Sequence, residues 1–269
     1  MPEPLVSNSL WKRVEPLLPR ARVRNRHRQY VGRRPSNPRM VLTGIIFVLR
    51  TGVPWEILPA TSEWPSGHTC LRWLRRWQRA GVWKHLLVEL LSELARKGKI
   101  DWRRAIVDSA SVRAPHGGRN TGPSPVDRRK CGSKHHVIVE AKGTPLAMVL
   151  TAANRNDITQ LLRLVDAIPA LPGRRGRPRK RPDRVQGDRG YDSEPHRKAL
   201  KKKGIEPVLA RRGTPHGSGL GRHRWVVERS LAWLHEFKKL KTREERGMLT
   251  HTALMLLAAC LICQRRLRR

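Results

Sequence analysis

Acid is scarce in this sequence. Only 21 Asp and Glu stand against 57 Lys and Arg, which leaves a formal net charge of +36 on 269 residues. A cationic surplus of that size repels itself at low salt and is tolerated best beside a polyanion, so nucleic acid is the leading partner. Cysteine is scarce as well: Cys70, Cys131, Cys260 and Cys263 are too few and too scattered for a disulfide scaffold. Cys260-x-x-Cys263 has the spacing of half a metal site, but it falls in an apolar helical run without a second Cys or His pair, and it reads as core packing. No apolar run reaches the length of about eighteen residues that a membrane span needs, and the longest, from Ala253 to Cys263, lies between charged flanks. No membrane partner is expected. The opening Met1-Pro-Glu-Pro-Leu-Val lacks the basic and then apolar layout of a signal peptide, so a cytoplasmic location is expected.

The 38 % of hydrophobic residues suffices for a packed core. Leu10, Trp11, Val14 and Leu17-Leu18 recur at helical spacing until Pro19, and the basic stretch from Arg20 to Arg39, broken by Gly and Pro, reads as a loop. Met40 to Arg50 predicts a buried helix stopped by Thr51-Gly52-Val53-Pro54. From His68, Leu71, Leu74 and Trp77 mark one helix face while Arg72, Arg75, Arg76 and Arg79 fan over the rest, and Gly81 closes the helix. A further helix is expected from Val82 to about Lys97. Three helices with a short, basic one in the middle suggest a helix-turn-helix-like module over 1–98 in which those four arginines meet DNA. A helical bundle with a solvated arginine face is the plainer alternative, and the global charge favours DNA.

After Gly98 the periodicity changes. Arg104 to Ser109, His135 to Ala141, Pro145 to Thr151, Arg184 to Gly187 and Ile205 to Leu209 predict strands. Asp157 to Ile168, Glu194 to Lys203, Trp225 to Lys241 and Thr250 to Arg265 predict helices. Residues 99–269 therefore read as an α/β unit behind an all-α module.

In so basic a chain the acids placed in apolar stretches are informative. Asp108 is expected to end the strand RAIVD, Asp188 follows RVQG, and Glu228 lies in the helical run HRWVVERSL. Three carboxylates among apolar neighbours need a compensating charge, and a pair of divalent cations would supply it. Mg²⁺ prefers oxygen ligands, and two ions roughly 3.5–4 Å apart can steady both the attacking and the leaving oxygen of a phosphodiester displacement. Taken singly, each acid has a plainer role: Asp108 at a turn, Asp188 in a turn with Arg189 and Tyr191, Glu228 paired with Arg224 one helical turn earlier.

Taken in order, the blocks resemble a known family. WKRVEPLLP (Trp11 to Pro19), VLTGIIFVLRTGVPW (Val41 to Trp55), VDSASVRA (Val107 to Ala114), GPSPVD (Gly122 to Asp127), GSKHHVIV (Gly132 to Val139), NRNDITQ (Asn154 to Gln160), DRGYD (Asp188 to Asp192) and WVVERSLAWLH (Trp225 to His235) are similar to bacterial insertion-sequence transposases of the DDE type, in the group named after insertion sequence five. The resemblance covers nearly the whole chain. It implies an RNase H-like mixed sheet with flanking helices, in which the first and fourth strands lie side by side. It also implies Asp108, Asp188 and Glu228 as the catalytic acids holding two Mg²⁺, with Mn²⁺ a possible substitute. Hydrolysis at transposon ends and attack of the released 3′-OH on target DNA follow by the same resemblance, with a homo-oligomer assembled on double-stranded DNA. Related transposases carry Tyr-x2-Arg-x3-Glu-x6-Lys around the third acid. Arg224 and Glu228 match it, Gly221 stands at the Tyr place and His235 at the Lys place, and Lys238 and Lys239 follow one turn on. Arg224, His235 and Lys238 are thereby candidate DNA contacts. The other class of function open to this sequence is a DNA-binding protein without catalysis, a regulator or a decayed transposase; convergence of the three carboxylates discriminates the two.

The remaining polar residues receive smaller roles. His135 and His136 point to opposite faces of a strand and read as structural, with His135 or Lys134 a weaker DNA candidate. Asp127 and Asp157 are spare acids, Asp157 a helix cap. Asp192 is expected to bond its turn backbone. RRGRPRKRP (Arg174 to Pro182) holds Arg175-Gly176-Arg177-Pro178, which resembles an AT-hook core, so Arg175 and Arg177 are candidates for the minor groove, with plain phosphate contact as the alternative. Neutralising Arg175 and Arg177 together is expected to flatten the slope of log K against log salt by about one to two units, measured by fluorescence anisotropy on duplex DNA; an unchanged slope would remove this segment from the interface.

Overall fold

Capping chemistry sets the first helices. In the computed structural model, which describes residues 4–19, 36–172, 176–213 and 221–268, α1 (Asn8–Val14) opens with the Ser7 side chain accepting from the Leu10 N–H. Pro16 then carries the chain into a 3-10 turn, Glu15–Leu17. Most of the basic loop expected over 20–39 lies outside the described residues. In α2 (Pro38–Thr51) the Asn37 side chain accepts from the Arg39 N–H, and the helix ends at Gly52 with φ 78°, a left-handed cap that favours glycine. α3 (Gly67–Arg79) and α4 (Val82–Arg96) follow, joined through Ala80 and Gly81.

The expected helix-turn-helix spacing is not realised around α3. The connection over 52–66 is far longer than the turn of roughly three or four residues that defines that motif. The tightly joined pair is α3 and α4 instead, and α4 is a core helix, with Trp83, Leu86, Leu87, Leu90, Leu91 and Leu94 buried.

The sheet begins with β1 (Ala105–Arg113), the two-residue β2 (Gly122–Pro123), β3 (Cys131–Glu140) and β4 (Pro145–Ala152). Helix α5 (Ile158–Ala167), β5 (Arg184–Gly187), α6 (Glu194–Lys202) and β6 (Glu206–Leu209) complete it. β3 runs antiparallel to β1 on one side and to β4 on the other, and β2 adds to the end of β3. β1 pairs in parallel with β5, and β5 in parallel with β6. The long strands thus lie in the order β4-β3-β1-β5-β6, a mixed sheet with the first long strand beside the fourth, as in the RNase H-like arrangement.

Helix α7 (Gly221–Glu236) starts and stops four or more residues earlier than its periodicity suggested. It stops because Phe237 leaves helical geometry, with φ −73° and ψ 101°, to bury its ring in the core. The chain continues as a 3-10 turn, Lys238–Leu240, so Lys238 is not on the helix that carries Glu228.

The last helix, α8 (Met248–Arg268), is long and apolar enough to cross a membrane by length and composition. Here it is the central core helix: it packs along α4, α3 and β4, and Leu254, Leu257, Ala258, Cys260 and Cys263 are fully buried. The cysteine pair is core packing, as its surroundings suggested. Helices and sheet share one hydrophobic core through α8. Trp83 sits at its centre, edge-on to Trp77 with ring centroids 5.8 Å apart and with no exposed surface. Trp83→Ala is expected to lower the unfolding free energy by about 3–5 kcal/mol, seen in urea denaturation as a lower midpoint at unchanged slope.

Candidate active site

The parallel pairing of β1 with β5 builds the site. Asp108 lies in the middle of β1 and not at its end, because the strand runs on to Arg113. The pairs Ala105↔Val185 and Ile106↔Gln186 define the register; continued by two residues, it brings Asp108 level with Asp188 on one face. Side chains crowd residue 187: a Cβ there would lie 3.0 Å from Val107 Cγ2 and 3.1 Å from both Leu209 Cδ2 and Tyr191 Cβ, and glycine fits.

Each carboxylate is held locally. Ser109 N–H donates to Asp108 Oδ1 at 2.8 Å. Gly190 N–H donates to Asp188 Oδ1 at 2.9 Å, capping the 3-10 turn Arg189–Tyr191. Glu228 comes from α7, which packs across β1 and β3. Arg224, one turn before it, donates from Nε to Glu228 Oε1 at 3.0 Å and brings a terminal nitrogen to 3.9 Å from Asp188 Oδ2. The plainer roles of Asp188 and Glu228 are thus realised, and the same contacts bring those two acids to one guanidinium.

Electrostatics ties Asp108 to that group. Burial pushes its carboxyl up to about 6, against the Ser109 N–H; repulsion from Asp188 and Glu228 adds to the rise and Arg224 opposes it. Behind these acids Tyr191 is buried, its phenol pushed well up by burial and by Asp157, Asp108 and Asp188, so it forms a neutral floor.

Among the described residues no group of three His, Cys, Asp or Glu side chains is gathered so as to hold a metal ion; Arg224 supplies the positive charge between Asp188 and Glu228. In kind, the donors suit a hard divalent cation. All three are carboxylates, and Asp108 is destabilised as an anion by burial and then by the other two, a condition that a cation relieves.

The other expected residues divide sharply. Arg72, Arg75 and Arg79 are exposed on α3. Arg75 Nε donates to Thr250 Oγ1 at 3.0 Å, fixing α3 to α8, and the Arg76 guanidinium lies 5.2 Å from the Trp73 ring centroid. Arg72, Trp73 and Arg76, with Asn37 and Thr69, line a groove of about 640 Å³ between α2 and α3. Arg177 and Lys238 are exposed, and Arg175 lies outside the described residues. His235 is half-buried: its Nε2 is 3.4 Å from His135 Nδ1, and His135 Nε2 is 2.8 Å from His251 Nε2. His135 is fully buried and Lys134 nearly so, which removes both from any DNA surface. Lys239 is likewise buried and pairs with Glu244.

The smaller roles change for the same reason, that tertiary partners outcompete local ones. Asp157 occupies the N-cap position of α5 but makes no cap bond; its Oδ1 accepts from Ser109 Oγ and Lys134 Nζ, each at 2.9 Å. Asp192 pairs with Arg197 at 2.6 Å and accepts the Arg212 N–H at 2.8 Å in place of its own turn backbone. Asp127 pairs with Arg113. Trp225 is 52 % exposed, with the Arg229 guanidinium 4.6 Å from its ring. The contact of Ser109, Lys134 and Asp157 escaped the sequence reading, although a lysine inside GSKHHVIV, otherwise a strand of the core, was a visible signal.

The family profile described as transposase DDE domain matches residues 102–263, and one described as "Putative transposase of IS4/5 family" matches residues 6–87. The "Putative transposase for insertion sequence element IS402" of Burkholderia cepacia is 57 % identical over 167 residues, 62 % of this chain and 77 % of that protein. A 16.2 kDa protein of the same element and organism, itself uncharacterized, is 46 % identical over 125 residues, 46 % of this chain and 84 % of that one. The catalytic domain of Mos1 mariner transposase aligns with 72 % of this chain and 93 % of its own at 16 % identity, with a TM-score of 0.27, too low to support an argument from superposition. The profile over β1 to α8 and the IS402 relative together show that the chain belongs to the DDE transposases, in the IS4/5 family.

Proposed function

We propose that this transposase cuts DNA at the ends of an insertion sequence and joins the freed 3′ ends to target DNA, with Asp108, Asp188 and Glu228 as its catalytic carboxylates. The observation that carries the reading is that Asp108 and Asp188 come level on two adjacent strands, while Arg224 of α7 reaches Asp188 and pairs with Glu228. The three would hold two Mg²⁺ ions, for which Mn²⁺ can substitute. Bound there, the ions supply Lewis-acid stabilisation of the phosphoryl oxygens and a lowered pKa for water or the 3′-OH.

The chain's own residues do the positioning. Asp108 and Asp188 are fixed by the sheet and by the N–H groups of Ser109 and Gly190, so their separation does not depend on flexible side chains. Glu228 is half-exposed on α7 and closes the site from the helix side. Arg224 balances the acids and is itself 48 % exposed, able to reach a DNA phosphate from the same place. Residues 1–98 act as the DNA-binding module, with Arg72, Arg75, Arg76 and Arg79 on α3 as its phosphate contacts, and 99–269 as the catalytic domain. Arg175, Arg177 and Lys238 add cationic surface. Two transposon ends must be held together, so the working species is a homo-oligomer on DNA, in the cytoplasm.

Alanine at Asp108, Asp188 or Glu228 is expected to reduce Mg²⁺-dependent strand cleavage on DNA bearing the element's inverted repeats by on the order of 100-fold or more, with duplex affinity kept within about threefold. Normal cleavage by Asp108→Ala would overturn the assignment. A pH dependence of stability follows from the raised Asp108 carboxyl. Its ordinary value of 3.8 rises to about 6 on folding, so between those values the folded chain holds a proton that the unfolded chain has lost. Its contribution to stability in the absence of metal is therefore full below about pH 4 and lost as pH rises through about 6. Thermal melts of Asp108→Asn in chelator are expected to lack this component; an unaltered melting profile from pH 4 to 7 would contradict it.

A further inference from the structure

We propose that Asp157 and Lys134 form a positioning pair for the catalytic carboxylates, acting on Asp108 through Ser109. The inference rests on the reading of Asp108 and Asp188 as metal-binding acids and extends that site by one layer.

Ser109 joins two networks. Its N–H donates to Asp108 Oδ1 at 2.8 Å, and its hydroxyl, on the opposite face of β1, donates to Asp157 Oδ1 at 2.9 Å. The same carboxylate oxygen accepts from Lys134 Nζ at 2.9 Å, and Lys134 Nζ also donates to the Arg155 carbonyl at 3.0 Å. The Lys134 side chain is only 10 % exposed, so its ammonium depends on Asp157 for compensation. His136, also buried, bonds Thr151 Oγ1 through Nε2 at 2.8 Å and sets Nδ1 3.6 Å from Asp157 Oδ1. The other oxygen of Asp157 faces the catalytic side. A Cβ built on Gly190 would stand 3.0 Å from Asp188 Oδ1 and 3.8 Å from Asp157 Oδ2, so glycine at 190 is the thin partition between the two carboxylates.

A local role does not explain this arrangement. Asp157 stands where a cap bond to α5 would stabilise the helix by about 1 kcal/mol, yet its side chain makes none. The carboxylate is committed instead to β1 and β3, directly behind the acids. Asp157 and Lys134 are neutral as a pair. Removing one partner leaves a full charge of known sign within reach of a divalent cation at Asp108 and Asp188, in a half-buried setting where screening is weak.

The two single variants are therefore expected to move metal affinity in opposite directions. Mn²⁺ binding to the full chain, followed by electron paramagnetic resonance without DNA, is expected to weaken about tenfold in Asp157→Asn, which strands the ammonium, and to tighten severalfold in Lys134→Met, which strands the carboxylate. Lys134→Arg keeps the charge and is expected to bind as the parent does. The double variant removes both charges and is expected to return to within about threefold of the parent. The double variant and Lys134→Arg carry the test if a single variant does not fold, as judged by melts in chelator. A purely structural pair would weaken binding in both single variants and again in the double. That pattern, or unchanged affinity throughout, overturns the proposal. Asp108→Ala is the control for the underlying reading: loss of Mn²⁺ binding there with silent pair variants rejects the positioning role alone, and retained binding rejects the assignment of the site itself.

Discussion

Everything at the acidic centre follows from one backbone pairing, β1 against β5 in parallel register. Neighbouring strands lie about 4.8 Å apart, so carrying an aspartate at the same level on each sets two like charges at close quarters. The surroundings answer that repulsion with amide and guanidinium. The Ser109 and Gly190 amides bond one oxygen of each carboxylate, and Arg224 stands between Asp188 and Glu228. Burial, with the repulsion of Asp188 and Glu228 added to it, leaves the Asp108 carboxyl raised to about 6.

The arginine-bearing helix is bound into the same body. Arg75 bonds Thr250 at the start of α8, Cys260 of α8 contacts the Trp83 carbonyl of α4, and α8 lies against β4 beneath the sheet. Further along, Arg243 is fully buried, and its guanidinium donates to Ser133 Oγ and to the carbonyls of Arg119, Asn120, Glu245 and Arg246. That clamp satisfies loop carbonyls which would otherwise be buried without partners. Not every base in this chain is there to meet a polyanion; Lys134, Lys239 and Arg243 serve the interior.

The strands and helices were largely legible because their apolar periodicity is strong. β5 coincides with its expected span, and α2, α5 and α6 shift by a residue or two at their ends. The misses have identifiable causes. α7 ends early because Phe237 gains more from burial than from another helical residue. Spacing along a helix does not say what lies beside it, and only the fold set His235 next to His135 and His251.

Sequence alone determined the charge, the α/β order behind a helical module, the acids worth attention and the resemblance that joined them, since these depend on composition, periodicity and order along the chain. Tertiary structure decided which further charges are paired: Asp157 with Lys134 and not with its own helix, Asp192 with Arg197, Asp188 with Arg224. Local turns and caps contribute about 1 kcal/mol each, whereas an unpaired buried charge costs several, so long-range partners prevail wherever folding brings them within reach.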